Sequence, residues 1–154
     1  MTIRTHLVSG AGNTFHIAYS NNWDFTSGFW TLAKMKNYAK SICEKNKADG
    51  FIFLEKISDE KSFSEQYKWY FFNNDGSDAE MCGNATRCVG FYIKNILKSN
   101  SNKWVLITMA GPIKIDFIMA EKFKITMTPP HILKCEKGFY CDTGVPHLVI
   151  EKAQ

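Results

Sequence analysis

An α+β fold, in which a mostly antiparallel sheet wraps around one central long helix, is what this sequence predicts. Short β-prone runs recur from His6 to Met127, and only two stretches carry apolar residues at helical spacing. The last three β runs are joined by turns too short for a crossover helix, Ala110-Gly111-Pro112 and Ala120-Glu121-Lys122, as an antiparallel meander requires.

The elements follow in order. His6 to Val8 and Phe15 to Tyr19 are β-prone and flank Ser9-Gly10-Ala11-Gly12-Asn13, whose glycines and asparagine permit a tight turn. From Phe29 to Cys43 the apolar positions Phe29, Leu32, Ala33, Met35, Ala39 and Ile42 recur mostly every third or fourth residue without a proline, which predicts a helix. Phe51 to Leu54 and Trp69 to Phe72 read as strands, with the polar stretch Ser58 to Gln66 as a surface loop between them. After the turn composition Asn73-Asn-Asp-Gly-Ser-Asp78, the residues Val89, Tyr92, Ile93, Ile96 and Leu97 mark one helical face, so a second helix is expected to start near Gly83 and stop around Ser99 to Asn102. Trp104 to Met109, Ile113 to Met119 and Phe123 to Met127 then form the meander.

Composition excludes several classes. With 154 residues, 45% hydrophobic and 22% charged, the chain can bury roughly 70% of its unfolded surface and needs no staple. The net charge of +4 comes from scattered basic residues, densest between Lys34 and Lys47 on one predicted helix, which is a solvated face rather than a nucleic-acid footprint. No apolar run is long enough to span a membrane, and Met1 to Val8 lacks the form of a secretory signal, so a cytoplasmic protein without a membrane partner is expected. Five cysteines, Cys43, Cys82, Cys88, Cys135 and Cys141, form no C-x-x-C pair and are expected to be reduced. The histidines His6, His16, His131 and His147 never stand four apart, so no metal site is expected.

Two segments invite a chemical reading. The glycine loop at Gly10 to Asn13 fits neither phosphate-loop pattern, because no Gly-Lys-Ser/Thr follows and Phe15 occupies the place of a small residue. The run Glu80 to Cys88 is more informative, since it sets Cys82 between a turn and the first turn of a helix. Free N–H groups and the positive end of a helix dipole stabilise a thiolate there, and the N–H groups of Gly83 and Asn84 can hold a carboxylate beside it. Cys88, six positions on, points away from Cys82 along the helix and is expected in the core. Cys43, Cys135 and Cys141 are expected to serve packing.

The run from Phe72 to Cys88, Phe-Asn-Asn-Asp-Gly-Ser-Asp-Ala-Glu-Met-Cys-Gly-Asn-Ala-Thr-Arg-Cys, resembles the signature of the diaminopimelate epimerases. These cofactor-independent enzymes invert an α-carbon of a lysine and peptidoglycan precursor. Gly10-Ala-Gly-Asn-Thr-Phe15, Ala48-Asp-Gly-Phe51, Thr108-Met-Ala-Gly111 and Asp142-Thr-Gly-Val-Pro-His147 extend the resemblance in the family's order. It implies that Cys82 is one of two catalytic cysteines, that Gly83 and Asn84 bind the carboxylate of the reacting centre, that Asn13 and Asn73 bind substrate, and that no cofactor takes part. Thr14, Ala85 and Val145 depart from the family's usual Asp, Gly and Asn.

Family members are roughly twice this long and keep the second cysteine in a second lobe. The expected organisation is therefore an N-terminal lobe over residues 1–128 and the beginning of a second over 129–154, with a second lobe or a second copy of the chain as partner. Inversion without a cofactor needs a base on one face of the carbon and an acid on the other, and Cys82 serves one face only. The resemblance does not make Cys141 the other. A related racemase acting on another amino acid, such as histidine, and a non-catalytic amino-acid-binding module are the alternative readings.

Overall fold

The computed structural model describes residues 3–57, 64–127, 129–142 and 146–150. Among these residues, ten strands and two α-helices fold in the order β1 (Thr5–Gly10), β2 (Asn13–Ser20), α1 (Leu32–Asn46), β3 (Gly50–Ile57), β4 (Glu65–Asn73), α2 (Gly83–Phe91), a π-helical turn (Tyr92–Ile96), β5 (Lys103–Thr108), β6 (Gly111–Met119), β7 (Lys122–Thr126), β8 (His131–Cys135), β9 (Gly138–Asp142) and β10 (Pro146–Val149). The first seven strands form one sheet in sequence order, and β8 to β10 form a separate three-stranded meander.

Four of the six pairings in the large sheet are antiparallel, while β2–β3 and β4–β5 are parallel. Each parallel pair is bridged by a helix, as a crossover demands. Because β2 and β4 run in opposite directions, crossovers of one hand put their helices on opposite faces of the sheet. Side-chain alternation along β3 shows that arrangement. Phe51 and Phe53 pack with Met35, Ala39 and Cys43 of α1, whereas Ile52 and Leu54 pack with Ala85, Cys88 and Val89 of α2. Both faces of β3 are thus covered, which is why Phe51 to Leu54 reads as an unbroken apolar run rather than an alternating one.

The sheet curls. The short helix α2 touches β1 and β2 near one edge and β6 and β7 at the other, so the strands wrap its face as a half-barrel. The helix inside the curl is nine α-helical residues continued by the π turn, and the longer helix, α1 with 15 residues, lies on the outer face.

α1 begins three residues later than the periodicity from Phe29 predicts. Thr31 is its N-cap, accepting the Lys34 N–H on Oγ1 at 3.2 Å, and Phe29 and Trp30 instead join an aromatic cluster with Trp23, Tyr38 and Phe53. The loop expected from Ser58 to Gln66 ends earlier than predicted, since Glu65 and Gln66 already belong to β4, and residues 58–63 lie outside the described ones. Glu65 is drawn into the strand by its partners. Its carboxylate accepts hydrogen bonds from Lys56 Nζ (3.0 Å), Ser99 Oγ (2.7 Å) and Trp104 Nε1 (3.2 Å), tying β3, β4, β5 and the turn after α2 together.

Candidate active site

The site is built at one end of the large sheet. Asn13 opens β2 and Asn73 closes β4, and since these strands run in opposite directions both residues reach the same end. Each shares the alternation of Phe15 and Phe71, which pack on the α2 side, so both asparagines stand on the face that α2 covers.

α2 brings its N-terminus to this face. Met81 and Ala85 are buried in the core on either side of Cys82, and Cys82 itself is the N-cap, with extended backbone angles of φ −148° and ψ 121°. Its carbonyl is held twice by Thr86, through the backbone N–H and through Oγ1, both at 2.9 Å. The half-buried thiol caps no N–H of the helix, and the first turn contains no acidic side chain. The positive end of α2 is therefore left without an internal counter-charge next to a free thiol, with the N–H groups of the first turn outside the intrahelical ladder. Among the described residues, a Cβ placed on Gly83 would meet only Met127 Sδ, at 3.9 Å.

Asn84, in the first turn, donates from Nδ2 to Asn13 Oδ1 at 2.8 Å, a link across 71 positions that joins the β1–β2 turn to the helix start. Arg87, one turn on, donates from its guanidinium to Asn84 Oδ1 at 2.7 Å. Thr14, beside Asn13, is held by Asp49, whose Oδ2 accepts the Thr14 N–H at 2.7 Å and the hydroxyl at 3.2 Å, while the Asp49 N–H donates to the Thr14 carbonyl at 2.9 Å. Asn73 spends its amide locally, donating to Ser77 Oγ at 2.9 Å.

The structure thus bonds Asn13 directly to Asn84, sets Gly83 and Cys82 in the same helix start, and leaves Asn73 at the same end of the sheet but bonded to its own turn. Val145 lies outside the described residues. His147 stands opposite Cys141 in the β9–β10 ladder. Thr86, Arg87 and Asp49 were not singled out from sequence. The runs Ala48 to Phe51 and Phe72 to Cys88, which carry the resemblance, contain all three but say nothing of the bonds they make.

Cys88 and Cys43 belong to the interior. Burial pushes both thiols up to about 11, aided for Cys88 by the neighbouring Cys82 and for Cys43 by Asp49. Among the described residues no group of three or more His, Cys, Asp or Glu could hold a metal ion, and no helix is long and apolar enough to cross a membrane.

The helix start that carries Cys82, Gly83 and Asn84, with Asn84 bonded to Asn13, is built from two of the runs that carry the sequence resemblance. The family model described as diaminopimelate epimerase matches residues 26–133. The chain belongs to the diaminopimelate epimerase family. It is 34% identical over 160 residues to the diaminopimelate epimerase of Hydrogenobaculum sp. (strain Y04AAS1), covering 92% of this chain and 54% of that protein. It is 32% identical to that of Chlamydia muridarum (strain MoPn / Nigg), covering 97% of this chain and 53% of that one. The chain spans about half the length of these curated relatives. Among solved structures, its fold is similar to a phenazine biosynthesis protein of the PhzF family from Bacillus anthracis, with a TM-score of 0.63, 17% identity and coverage of 86% of this chain and 43% of that one. A PhzF-family protein from Enterococcus faecalis matches with a TM-score of 0.57 at 17% identity, over 92% of this chain and 44% of that one. These structural likenesses bear on the fold, a half-length match to a diaminopimelate epimerase or PhzF-like architecture.

Proposed function

We propose that this chain carries one half of a diaminopimelate epimerase site, interconverting the LL and meso forms in lysine and peptidoglycan precursor synthesis in the cytoplasm. The observation that carries the reading is the Cys82 thiol at the open start of α2, beside the bonded pair Asn84 and Asn13. Cys82 takes or returns the α-proton on one face of the carbon. The N–H groups of Gly83 and Asn84 receive the adjacent carboxylate, where negative charge develops as the proton leaves, so they stabilise the carbanion more than the ground state. Asn13 and Asn73 bind substrate, with Asn73 held in its turn by Ser77.

The other face of the carbon needs a second acid/base, and neither interior thiol qualifies. Cys43 and Cys88 are buried and hard to ionise. The group comes from a second lobe or a second copy, and residues 129–154 are the beginning of that lobe rather than part of the first. β8 to β10 pair with no strand of the large sheet and expose Ile132, Leu133, Phe139, Leu148 and Val149, which favours a lobe completed elsewhere.

The test is solvent-deuterium incorporation at the α-carbon of LL-diaminopimelate. The chain alone is expected to exchange the proton slowly with retention, and the chain joined to a second lobe from a curated relative is expected to invert the centre. Cys82→Ala is expected to abolish both. Across a panel of diaminopimelate, histidine, glutamate and proline, the joined protein is expected to favour diaminopimelate at least about tenfold. Preference for a single-headed amino acid would keep the reaction and overturn the substrate. Inversion by the isolated chain, or exchange that survives Cys82→Ala, would overturn the mechanism.

A further inference from the structure

We infer that Arg87 is a positioning residue that fixes the hydrogen-bonding polarity of the site, turning the amide of Asn13 so that it presents a donor to the ligand. This inference rests on the reading of Asn13 as a substrate-binding residue and adds the group that orients it.

What each group can donate fixes the arrangement. A guanidinium has five N–H donors and no acceptor, so the atom of Asn84 that meets Arg87 at 2.7 Å must be the carbonyl oxygen. The amide of Asn84 cannot then flip without setting its NH2 group against another donor. Its Nδ2 is consequently committed to Asn13, and the atom it meets at 2.8 Å must be an acceptor, Oδ1. Asn13 is left with its own NH2 group as the end not used in the chain. One donor-only side chain thereby sets two amides that would otherwise be free to turn by half a rotation with no change in shape.

The polarity matters because the ligand class carries carboxylates. An NH2 group turned outward meets a carboxylate oxygen with a hydrogen bond to a charged acceptor, while an amide oxygen turned outward meets it with repulsion. The helix alone does not decide this, since Asn84 and Asn13 satisfy each other equally well in either of the two paired orientations. Arg87 breaks the tie. Its own backbone lies in α2 but its influence ends on β2, at a residue it does not touch. Among the described residues nothing else holds Asn13 in the same sense: the neighbouring clasp from Asp49 acts on Thr14, and Ser9 Oγ donates to the Asn13 backbone carbonyl at 3.2 Å.

The test compares Arg87→Gln, whose side chain can donate or accept, with Arg87→Lys, which like arginine can only donate. Arg87 is exposed, so both variants are expected to unfold at the wild-type denaturant midpoint. In a 15N spectrum of the full 154-residue chain, the side-chain NH2 signals of Asn13 and Asn84 are expected to move in Arg87→Gln and to return close to their wild-type positions in Arg87→Lys. Titrated with LL-diaminopimelate, Arg87→Gln is expected to bind at least about tenfold more weakly and Arg87→Lys within about threefold of wild type. Unmoved Asn13 signals in Arg87→Gln, or a lysine variant as impaired as the glutamine one, would overturn the assignment. Should the wild-type chain not bind LL-diaminopimelate at all, the proposed function fails on that arm, and the amide signals still decide whether Arg87 orients Asn13.

Discussion

Gly10 lies so close to Cys88 that a Cβ added to it would stand 2.7 Å from the thiol Sγ and 3.4 Å from the Asn84 carbonyl oxygen. The end of β1 and the α2 helix therefore touch backbone to side chain, and this contact sets how near the helix start comes to the β1–β2 turn. Gly10→Ala is expected to cost about 1–3 kcal/mol by overpacking. Cys88→Ala makes room for the new methyl, so the double variant is expected to lose less than the two single losses added together. Urea unfolding of the four proteins measures that difference, and strictly additive losses would mean that the close approach is relieved elsewhere.

The turn beyond Gly10 carries a small strain. Ala11 and Gly12 both have positive φ, 50° and 90°, as the two central residues of a twisted hairpin turn require. Alanine resists that region where asparagine tolerates it. Ala11→Asn is expected to stabilise the chain by about 0.5–1 kcal/mol, read as a higher denaturant midpoint at unchanged slope. No gain would show that the turn relaxes when the residue changes.

Much of the large sheet was legible because its chemistry is local. The compact runs at Phe15, Phe51, Trp69 and Trp104 mark strands, and the periodicity from Val89 to Ile93 marks the buried face of the helix that starts at Gly83. Pairing direction was not legible, because the parallel ladders β2–β3 and β4–β5 depend on where α1 and α2 return the chain. The meander β8 to β10 escaped for another reason. Its residues are exposed or half-buried, so no alternation of polar and apolar positions records a covered face. Within the site, the thiol and the helix start followed from composition and order. The bonds from Arg87 and Thr86 did not, since they need the third dimension to tell a neighbour from a partner.

His16 makes the fold sensitive to acid. It sits in β2 with 8% exposure, stacked on Phe51 at 6.2 Å between ring centres, and neither ring nitrogen has a hydrogen-bond partner among the described residues. Burial holds its pKa below the ordinary 6.5, so the unfolded chain binds a proton more readily than the folded one. Stability is fully present above about pH 6.5 and falls as the pH drops from there toward the folded value, by at most about 1.4 kcal/mol per unit. His16→Leu is expected to remove this contribution and to flatten the stability profile between neutral and mildly acid pH. A variant with the same acid slope as wild type would place the sensitivity on other groups.

Access and position together separate Cys82 from the four other thiols. Cys43 and Cys88 are 1% and 2% exposed, and with their thiols pushed up to about 11 only about one molecule in a thousand is ionised at each near pH 8. Alkylation of these two must wait for the chain to open. Cys135 is exposed on β8 and Cys141 half-buried on β9, so both are accessible but neither stands at a helix N-terminus. Cys82 combines access with a helix start whose N–H groups lie outside the intrahelical ladder and that its own side chain does not cap. Limited reaction with iodoacetamide, read by peptide mass, is expected to modify Cys82 first, Cys135 next and Cys88 only when denaturant is added. LL-diaminopimelate is expected to slow Cys82 and leave Cys135 unaffected, because the proposed function sets the carboxylate beside the former alone. If Cys82 reacts no faster than the exposed Cys135, the helix start does not activate it. If ligand protects Cys82 and Cys135 equally, binding is not located at the start of α2.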